Sequence, residues 1–178
     1  MSLYGNGSIS FKKPTAENIL NFTGQFYQSM YYIGKITFAN GDIFDGKFFQ
    51  RTEENNFQLV ANGKKIFANG DIYVGDIRND KLNSFGVFKY NTSSFITSYI
   101  GHLSPDGIPH GNGIATYKNK FKYEGNFRAG KKHGTGKYIH ENGNMYEGEF
   151  CDDSYFDMAI LYLSYARYAG YVIISDPT

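Results

Sequence analysis

The feature that most constrains this chain is a five-residue pattern, aromatic-x-Gly-x-apolar, that returns at near-regular intervals. It is plainest at Tyr123-Glu-Gly125-Asn-Phe127 and Tyr146-Glu-Gly148-Glu-Phe150. Tyr99-Ile-Gly101-His-Leu103, Tyr73-Val-Gly75-Asp-Ile77, Phe44-Asp-Gly46-Lys-Phe48 and Phe22-Thr-Gly24-Gln-Phe26 come before them. The starts at 22, 44, 73, 99, 123 and 146 lie 22, 29, 26, 24 and 23 residues apart. Self-similarity at such a period marks a repeat architecture, in which each unit is a supersecondary element that cannot bury its apolar side alone.

The second half of each unit keeps its own spacing. His110-Gly-Asn-Gly113 matches His133-Gly-Thr-Gly136, which brings in Gly134 and Gly136. Ten residues separate Gly34 from Phe44, Gly63 from Tyr73, Gly113 from Tyr123 and Gly136 from Tyr146. GKITFANGDIF and GKKIFANGDIY are near copies, with Asn40-Gly41 and Asn69-Gly70 at one phase. Gly86 to Tyr99 takes thirteen residues, the surplus placed in a turn at NTSSF, 91–95. The 29-residue unit carries its surplus in QRTEENNFQLVAN, 50–62, a polar excursion. Gly5-Asn-Gly7 reads as the Gly-x-Gly of a truncated opening unit.

In a strand, residues i, i+2 and i+4 share one side. Tyr123 and Phe127 then flank Gly125 on one face, and Glu124 and Asn126 point to the other. Gly125 leaves room for a ring from a neighbouring hairpin. Asn-Gly between alternating apolar residues is a strong hairpin signal, because both residues accept positive φ at little cost. Each unit is therefore expected to be a β-hairpin. One hairpin is marginal in water, and a row of them buries a continuous ladder of Tyr, Phe and Ile. The expected repeat core is Tyr73, Gly75, Tyr99, Gly101, Tyr123, Gly125, Phe127, Gly134, Gly136, Tyr146, Gly148 and Phe150.

Composition agrees. Glycine numbers 21, Tyr and Phe 16 each, and proline only 4 in 178 residues, a mix suited to short strands and tight turns. Net charge is +1, so no global charge draws the chain to nucleic acid or membrane. The single Cys151 excludes an internal disulfide and a multi-cysteine zinc site, and a reducing compartment fits. MSLYGNGSISFKK has no long apolar core, and the most apolar run, 158–174, contains Arg167. Neither a signal peptide nor a membrane span is expected; a soluble, cytoplasmic protein is.

The pattern Tyr-x-Gly-x-Phe, a lysine-rich turn, His-Gly-x-Gly, an apolar strand and Asn-Gly resembles the MORN repeat (membrane occupation and recognition nexus). The likeness is closest over 123–150, good over 99–122 and covers roughly 5–150. Residues 44–98 depart through insertions, Ser84 in place of a glycine, and Ile77 in place of an aromatic. The resemblance implies a small stand-alone repeat protein: an elongated solenoid of antiparallel hairpins forming a single twisted sheet, without catalytic activity or cofactor. It implies a scaffold in cytoskeletal or ciliary assemblies, holding a partner's helical segment in a groove of the sheet. It also implies a debated capacity for lipid.

From Cys151 the repeat pattern stops. DDSYFDMAILYLSYARYAG shows no strand alternation. Asp153, Asp157, Ser164 and Arg167 fall on one stripe at helical spacing. Asp152 or Asp153 is a candidate N-cap, and Gly170 a candidate stop. The expectation is a repeat-sheet domain over 1–150 and a C-terminal helix in 151–178 that caps the last hairpin, with YVIIS, 171–175, as a further strand.

Catalytic chemistry is absent from the pattern. Gly-x-Gly opens no helix, so phosphate cradling fails its own context. His110 and His133 sit at one repeat phase and report the repeat rather than a metal site; His102 and His140 stand apart from them. Charge is uneven. Lys118, Lys120, Lys122, Arg128, Lys131, Lys132 and Lys137 face Glu124 alone, whereas 141–157 hold six acids and no base. Solvated turns explain this most simply. The functional alternative is a peripheral contact with anionic lipid through 118–137, at about 1 kcal/mol per basic residue. The acidic run would suit a partner's basic helix or a second copy. A protein partner is expected first, a membrane second, nucleic acid not at all, and homodimers or a larger assembly are compatible.

Overall fold

Apolar and polar residues alternating at period two become strands throughout the chain. The computed structural model describes residues 5–10, 12–13, 19–27, 30–53, 56–78, 81–91, 95–163 and 166–171. The chain divides into two compact units, Met1–Ser93 and Ser94–Thr178.

The first unit holds β1 (Gly5–Ser10), β2 (Ile19–Tyr27), β3 (Met30–Phe38), β4 (Ile43–Glu53), β5 (Asn56–Ile66), β6 (Ile72–Arg78) and β7 (Lys81–Lys89). The second holds β8 (Ile96–Leu103), β9 (Pro109–Tyr117), β10 (Lys122–Arg128), β11 (Lys131–Ile139), β12 (Met145–Cys151), β13 (Ser154–Leu163) and β14 (Ala166–Tyr171). Within each unit every strand pairs antiparallel with its neighbour in the chain. The expected antiparallel-hairpin repeat is what these strands build.

One row of small residues sets the register. In the first unit Gly7, Gly24, Gly34, Gly46, Gly63, Gly75 and Gly86 stand opposite one another, strand by strand. In the second, Gly101, Gly113, Gly125, Gly136, Gly148, Ala159 and Gly170 do the same. In five of the hairpins, from β2–β3 to β10–β11, the space above the pair is taken by a ring. A Cβ on Gly75 or Gly86 would lie 2.3 Å from an atom of Tyr73, and one on Gly113 2.2 Å from Tyr99 Oη. On Gly136 it would lie 2.4 Å from Tyr123 Oη. The ring comes from the same hairpin, two residues before its first glycine, and not from a neighbouring hairpin as expected. Phe22 and Phe44 lie over Gly34 and Gly46 in the same way, and where the ring is tyrosine its hydroxyl adds a bond. Each tyrosine lies along its own strand and donates to the carbonyl three residues on: Tyr73 to Asp76 (3.0 Å), Tyr99 to His102 (2.8 Å), Tyr123 to Asn126 (3.0 Å) and Tyr146 to Glu149 (3.3 Å).

The rings then meet edge to face. Tyr99, Phe127, Tyr123, Phe150, Tyr146 and Tyr155 form an unbroken series with centroids 4.3 to 5.3 Å apart. Phe26, Phe22, Phe48 and Phe44 form a second edge-to-face series in the first unit, with centroids 4.9 to 5.9 Å apart. Tyr73, Tyr99 and Tyr123 are fully buried, and Phe127, Tyr146 and Phe150 nearly so. The Asn-Gly turns recur as one device: Asn40, Asn69 and Asn142 side chains each accept the amide two residues on at 3.0 Å. Gly70 and Gly143, at φ +86° and +84°, supply the left-handed step.

Among the described residues the expected C-terminal helix does not form. Residues 154–163 and 166–171 are strands, β13 and β14, and no helix occurs among the described residues. Asp152 and Asp153, read as N-cap candidates, have φ of +47° and +76° and close a two-residue hairpin loop between Cys151 and Ser154. Two consecutive positive φ values suit such a loop, as Ala129 and Gly130 do between β10 and β11. A helix would have left the β12 edge open; the hairpin pairs it. The division expected after residue 150 is therefore no change of secondary structure. The strand expected at 171–175 lies outside the described residues beyond Tyr171, as do residues 92–94 of the expected turn. The surplus at 50–62 is no loop excursion: it lengthens β4 and β5, which pair out to Glu53 and Asn56.

Gly136→Ala is expected to lower stability by about 2 kcal/mol through overpacking against Tyr123. Tyr123→Phe should lower it by about 1 kcal/mol through the lost hydrogen bond. Thr135→Ala, on an exposed neighbour, should leave it unchanged. Urea unfolding followed by tyrosine fluorescence ranks the three, and an unmoved midpoint for Gly136→Ala contradicts the ladder.

Candidate partner-binding surface

The aromatic face leaves little of itself free. At the end of the second unit, Lys132 lies across two rings, its Nζ 5.0 Å from the Tyr138 centroid and 5.5 Å from that of Tyr117. Asp153 closes the arrangement. Its carboxylate is 3.7 Å from Lys132 Nζ and accepts the Lys132 amide at 2.9 Å, while its own amide donates to the Lys132 carbonyl. Burial pushes the Lys132 ammonium down, and Asp153 opposes that. Burial also pushes Tyr138 up to about 12, with Tyr155 adding to it. Tyr117 and Tyr123 rise too, from burial first and the Asp153 charge second.

The first unit repeats the device. Lys65 Nζ lies 4.9 Å from the Phe67 ring and 5.5 Å from Phe38, and 3.1 Å from Asp42 Oδ2, with both side chains nearly inaccessible. Asp42 Oδ1 accepts the Ala68 amide, and Asp71 Oδ1 accepts that of Asn91, so each aspartate fastens its turn to the next. A cation clamped between rings in both units is a structural element, and Lys132 is one.

The basic run separates into two ends. Lys118, Lys120 and Lys122 sit at the β9–β10 turn; Arg128, Lys131 and Lys132 sit at the opposite end of β10, about 20 Å away at strand rise. The acidic run folds onto it. Lys120 pairs with Glu141, Arg128 with Asp152 at 3.0 Å, Lys132 with Asp153 and Lys137 with Glu147 at 3.4 Å. The Arg128 hydrogen bond holds Asp152 below the usual carboxylate range. Lys118, Lys122 and Lys131 are exposed and make no ion pair among the described residues.

The outward face is open. Ile100 and Ile114 stand directly opposite each other on β8 and β9, 45% and 39% exposed. Glu124 follows Ile114 on β10, and Lys137 and Glu147 continue the row. In the first unit Val74 is 46% and Phe85 57% exposed. Among the histidines, His133 Nδ1 lies 3.4 Å from Asp152, His102 Nδ1 3.2 Å from the Asn112 carbonyl, His140 against the Phe121 ring, and His110 is exposed. Among the described residues no cluster of His, Cys, Asp or Glu could hold a metal ion.

The MORN repeat profile matches residues 73–95, 106–120 and 123–145. Three stretches of this chain match the MORN repeat. MORN repeats are non-catalytic and generally serve protein or membrane interaction. Among similar proteins, the inactive protein tyrosine kinase pTKL of Plasmodium berghei is 39% identical over 77 residues, 39% of this chain. Alsin of Homo sapiens and of Mus musculus is 32% identical over 98 residues, 55% of this chain. The chain spans 6% of the length of each of these relatives.

Sequence reasoning found the ring-and-glycine rows of the MORN repeats but missed the clamps of Lys65 and Lys132 and the small residues of the tail. The tail's signal was present: Ala159 follows Gly148 by eleven residues, as Gly86 follows Gly75 and Gly136 follows Gly125.

Burial favours the neutral phenols, so the folded chain keeps protons that the unfolded chain releases above about pH 10. Stability should be full below pH 10 and fall as pH rises toward 12. A spectrophotometric titration at 295 nm should show a group of tyrosines ionising only as the sheet unfolds; every tyrosine titrating near 10 with the circular dichroism intact would contradict this.

Proposed function

We propose that this chain is a non-catalytic scaffold or adaptor whose outward sheet face holds a protein partner, in a cytoplasmic, cytoskeletal or ciliary assembly. The observation that carries the reading is the Ile100–Ile114 pair. A partner's apolar side chains meet there a rigid, hydrogen-bonded backbone, so little ordering cost accompanies contact. The neighbouring Glu124 favours a partner segment, such as a helix, that brings a basic residue beside its apolar ones. The rings of the repeat core supply no such contact, since they are buried in the sheet itself.

The alternative is a membrane-surface role through 118–137. Four of its seven cations are paired inside the second unit. The remaining three would contribute about 3 kcal/mol at most near an anionic surface. No helix among the described residues is long and apolar enough to cross a membrane, which leaves strand-built membrane proteins aside.

Capture from a native lysate at low and high salt, read by mass spectrometry, separates the readings. The expected result is one dominant protein retained at high salt, lost from Ile100→Lys with Ile114→Lys, and kept by Lys118→Glu with Lys122→Glu and Lys131→Glu. Binders lost at high salt, together with anionic-vesicle binding abolished by the triple charge reversal, would replace the scaffold with the membrane reading.

A further inference from the structure

An antiparallel sheet with one packed face commonly turns polar residues to the other. In the first unit Phe44, Ala61, Tyr73, Ile77 and Phe88 are buried on the ring side, so the alternate positions of β4 to β7 face outward. Those outward positions are not polar throughout. Ile43 stands opposite Ile66 and Ile66 opposite Ile72; two residues along β6, Val74 stands opposite Val87. Phe85, two residues before Val87, extends the patch; it is 57% exposed and Val74 46%. Threonine satisfies strand propensity equally, as Thr37 does opposite Ile43. Six apolar side chains sharing one outward surface are more than the strands require, and such a patch marks an interaction site.

Cations surround this patch. Lys64 stands opposite Val74 and Lys89 opposite Ile72. Lys35 and Lys47 continue the face on β3 and β4, and Arg78 and Lys81 stand opposite each other at the β6–β7 end. All six are exposed. Two carboxylates lie among them: Asp45, opposite Lys35 on one side and Lys64 on the other, and Asp76, which accepts a hydrogen bond from the Asn62 side chain. We propose that this face of the first unit is a second docking surface, for a partner protein's segment that sets Asp or Glu beside Leu, Ile or Phe. Its apolar side chains cover Ile72, Val74 and Phe85, and its carboxylates meet Lys64 and Lys89. The charge preference is opposite to that at Ile100 and Ile114, where Glu124 is the neighbour, so the two units select different partners. Asp45 favours a protein over anionic lipid. A protein segment can match that carboxylate with one donor, whereas a uniformly anionic surface is repelled by it.

The test is panning of a random-peptide display library against the purified 178-residue chain. Enriched peptides should combine Asp or Glu with Leu, Ile or Phe. A fluorescein-labelled synthetic copy of the most enriched peptide is then titrated by anisotropy. Its affinity should fall at least tenfold for Val74→Ser with Val87→Ser, and likewise for Lys64→Glu with Lys89→Glu. Thermal unfolding checks that each variant is folded; if the valine pair is not, the exposed lysine pair decides alone. Ile100→Lys with Ile114→Lys should bind the peptide as the parent chain does. The proposal is overturned if no acidic-apolar pattern is enriched, if the peptide ignores the lysine pair, or if it is lost with the Ile100 and Ile114 changes. Binding to phosphatidylserine vesicles that the lysine pair abolishes, with no peptide enriched, gives the face to a membrane and overturns it too. Capture of a lysate protein through Ile100 and Ile114 is a separate measurement, so either reading can fail alone.

Discussion

The structure depends on one contact repeated down the chain: an aromatic ring laid flat over two facing glycines. The glycines remove the Cβ atoms that would hold the ring off the backbone. The ring covers main-chain surface that a sheet face would otherwise leave wet, and Tyr73, Tyr99 and Tyr123 are fully buried there. The hydroxyl keeps a partner by bonding a carbonyl of its own strand, so a tyrosine is buried without an unsatisfied polar atom. Where Phe22 and Phe44 replace it, the ring remains and that bond is absent. The edge-to-face series then couples each hairpin to the next, so stability is built from neighbour to neighbour.

Charge follows from this geometry rather than adding to it. Successive turns at one end of the sheet lie side by side, so residues about twenty apart in sequence become neighbours. Arg128 and Asp152 are such a pair, as are Lys132 and Asp153. A basic run followed one repeat later by an acidic run is therefore what a hairpin array needs in order to pair its own turns. The exposed pairs contribute little individually. The clamped lysines differ because rings on two sides and an aspartate on the third replace water.

Most of the architecture was legible because the repeat writes its constraint into residue types that nothing else demands. Few other uses place an aromatic two residues before a glycine six times, in five of them with a second glycine ten to seventeen residues later. The tail was misread for a physical reason. Ala159 serves where glycine usually stands, and the run from Met158 to Leu163 is apolar at every position, so strand alternation vanishes while a helical stripe arises by chance. The aspartate turn at 152–153 resembles a helix start because the same residue types serve both. The surface was less legible still. Sequence order grouped seven cations that the fold separates by a strand's length. It gave no sign that Ile100 and Ile114, fourteen residues apart in the chain, meet across β8 and β9.

A sheet of this kind divides its residues strictly. The ring positions serve the sheet's own cohesion, and replacing one damages folding before it damages binding. The turn residues hold consecutive hairpins together. What remains are the outward positions beside the glycine row. The outward positions are free to vary because nothing in the ladder touches them, and this chain fills several with β-branched residues in place of the charges that suffice for a solvated face. Recognition by this face can therefore change from one such sheet to another without disturbing the ladder that holds the hairpins together.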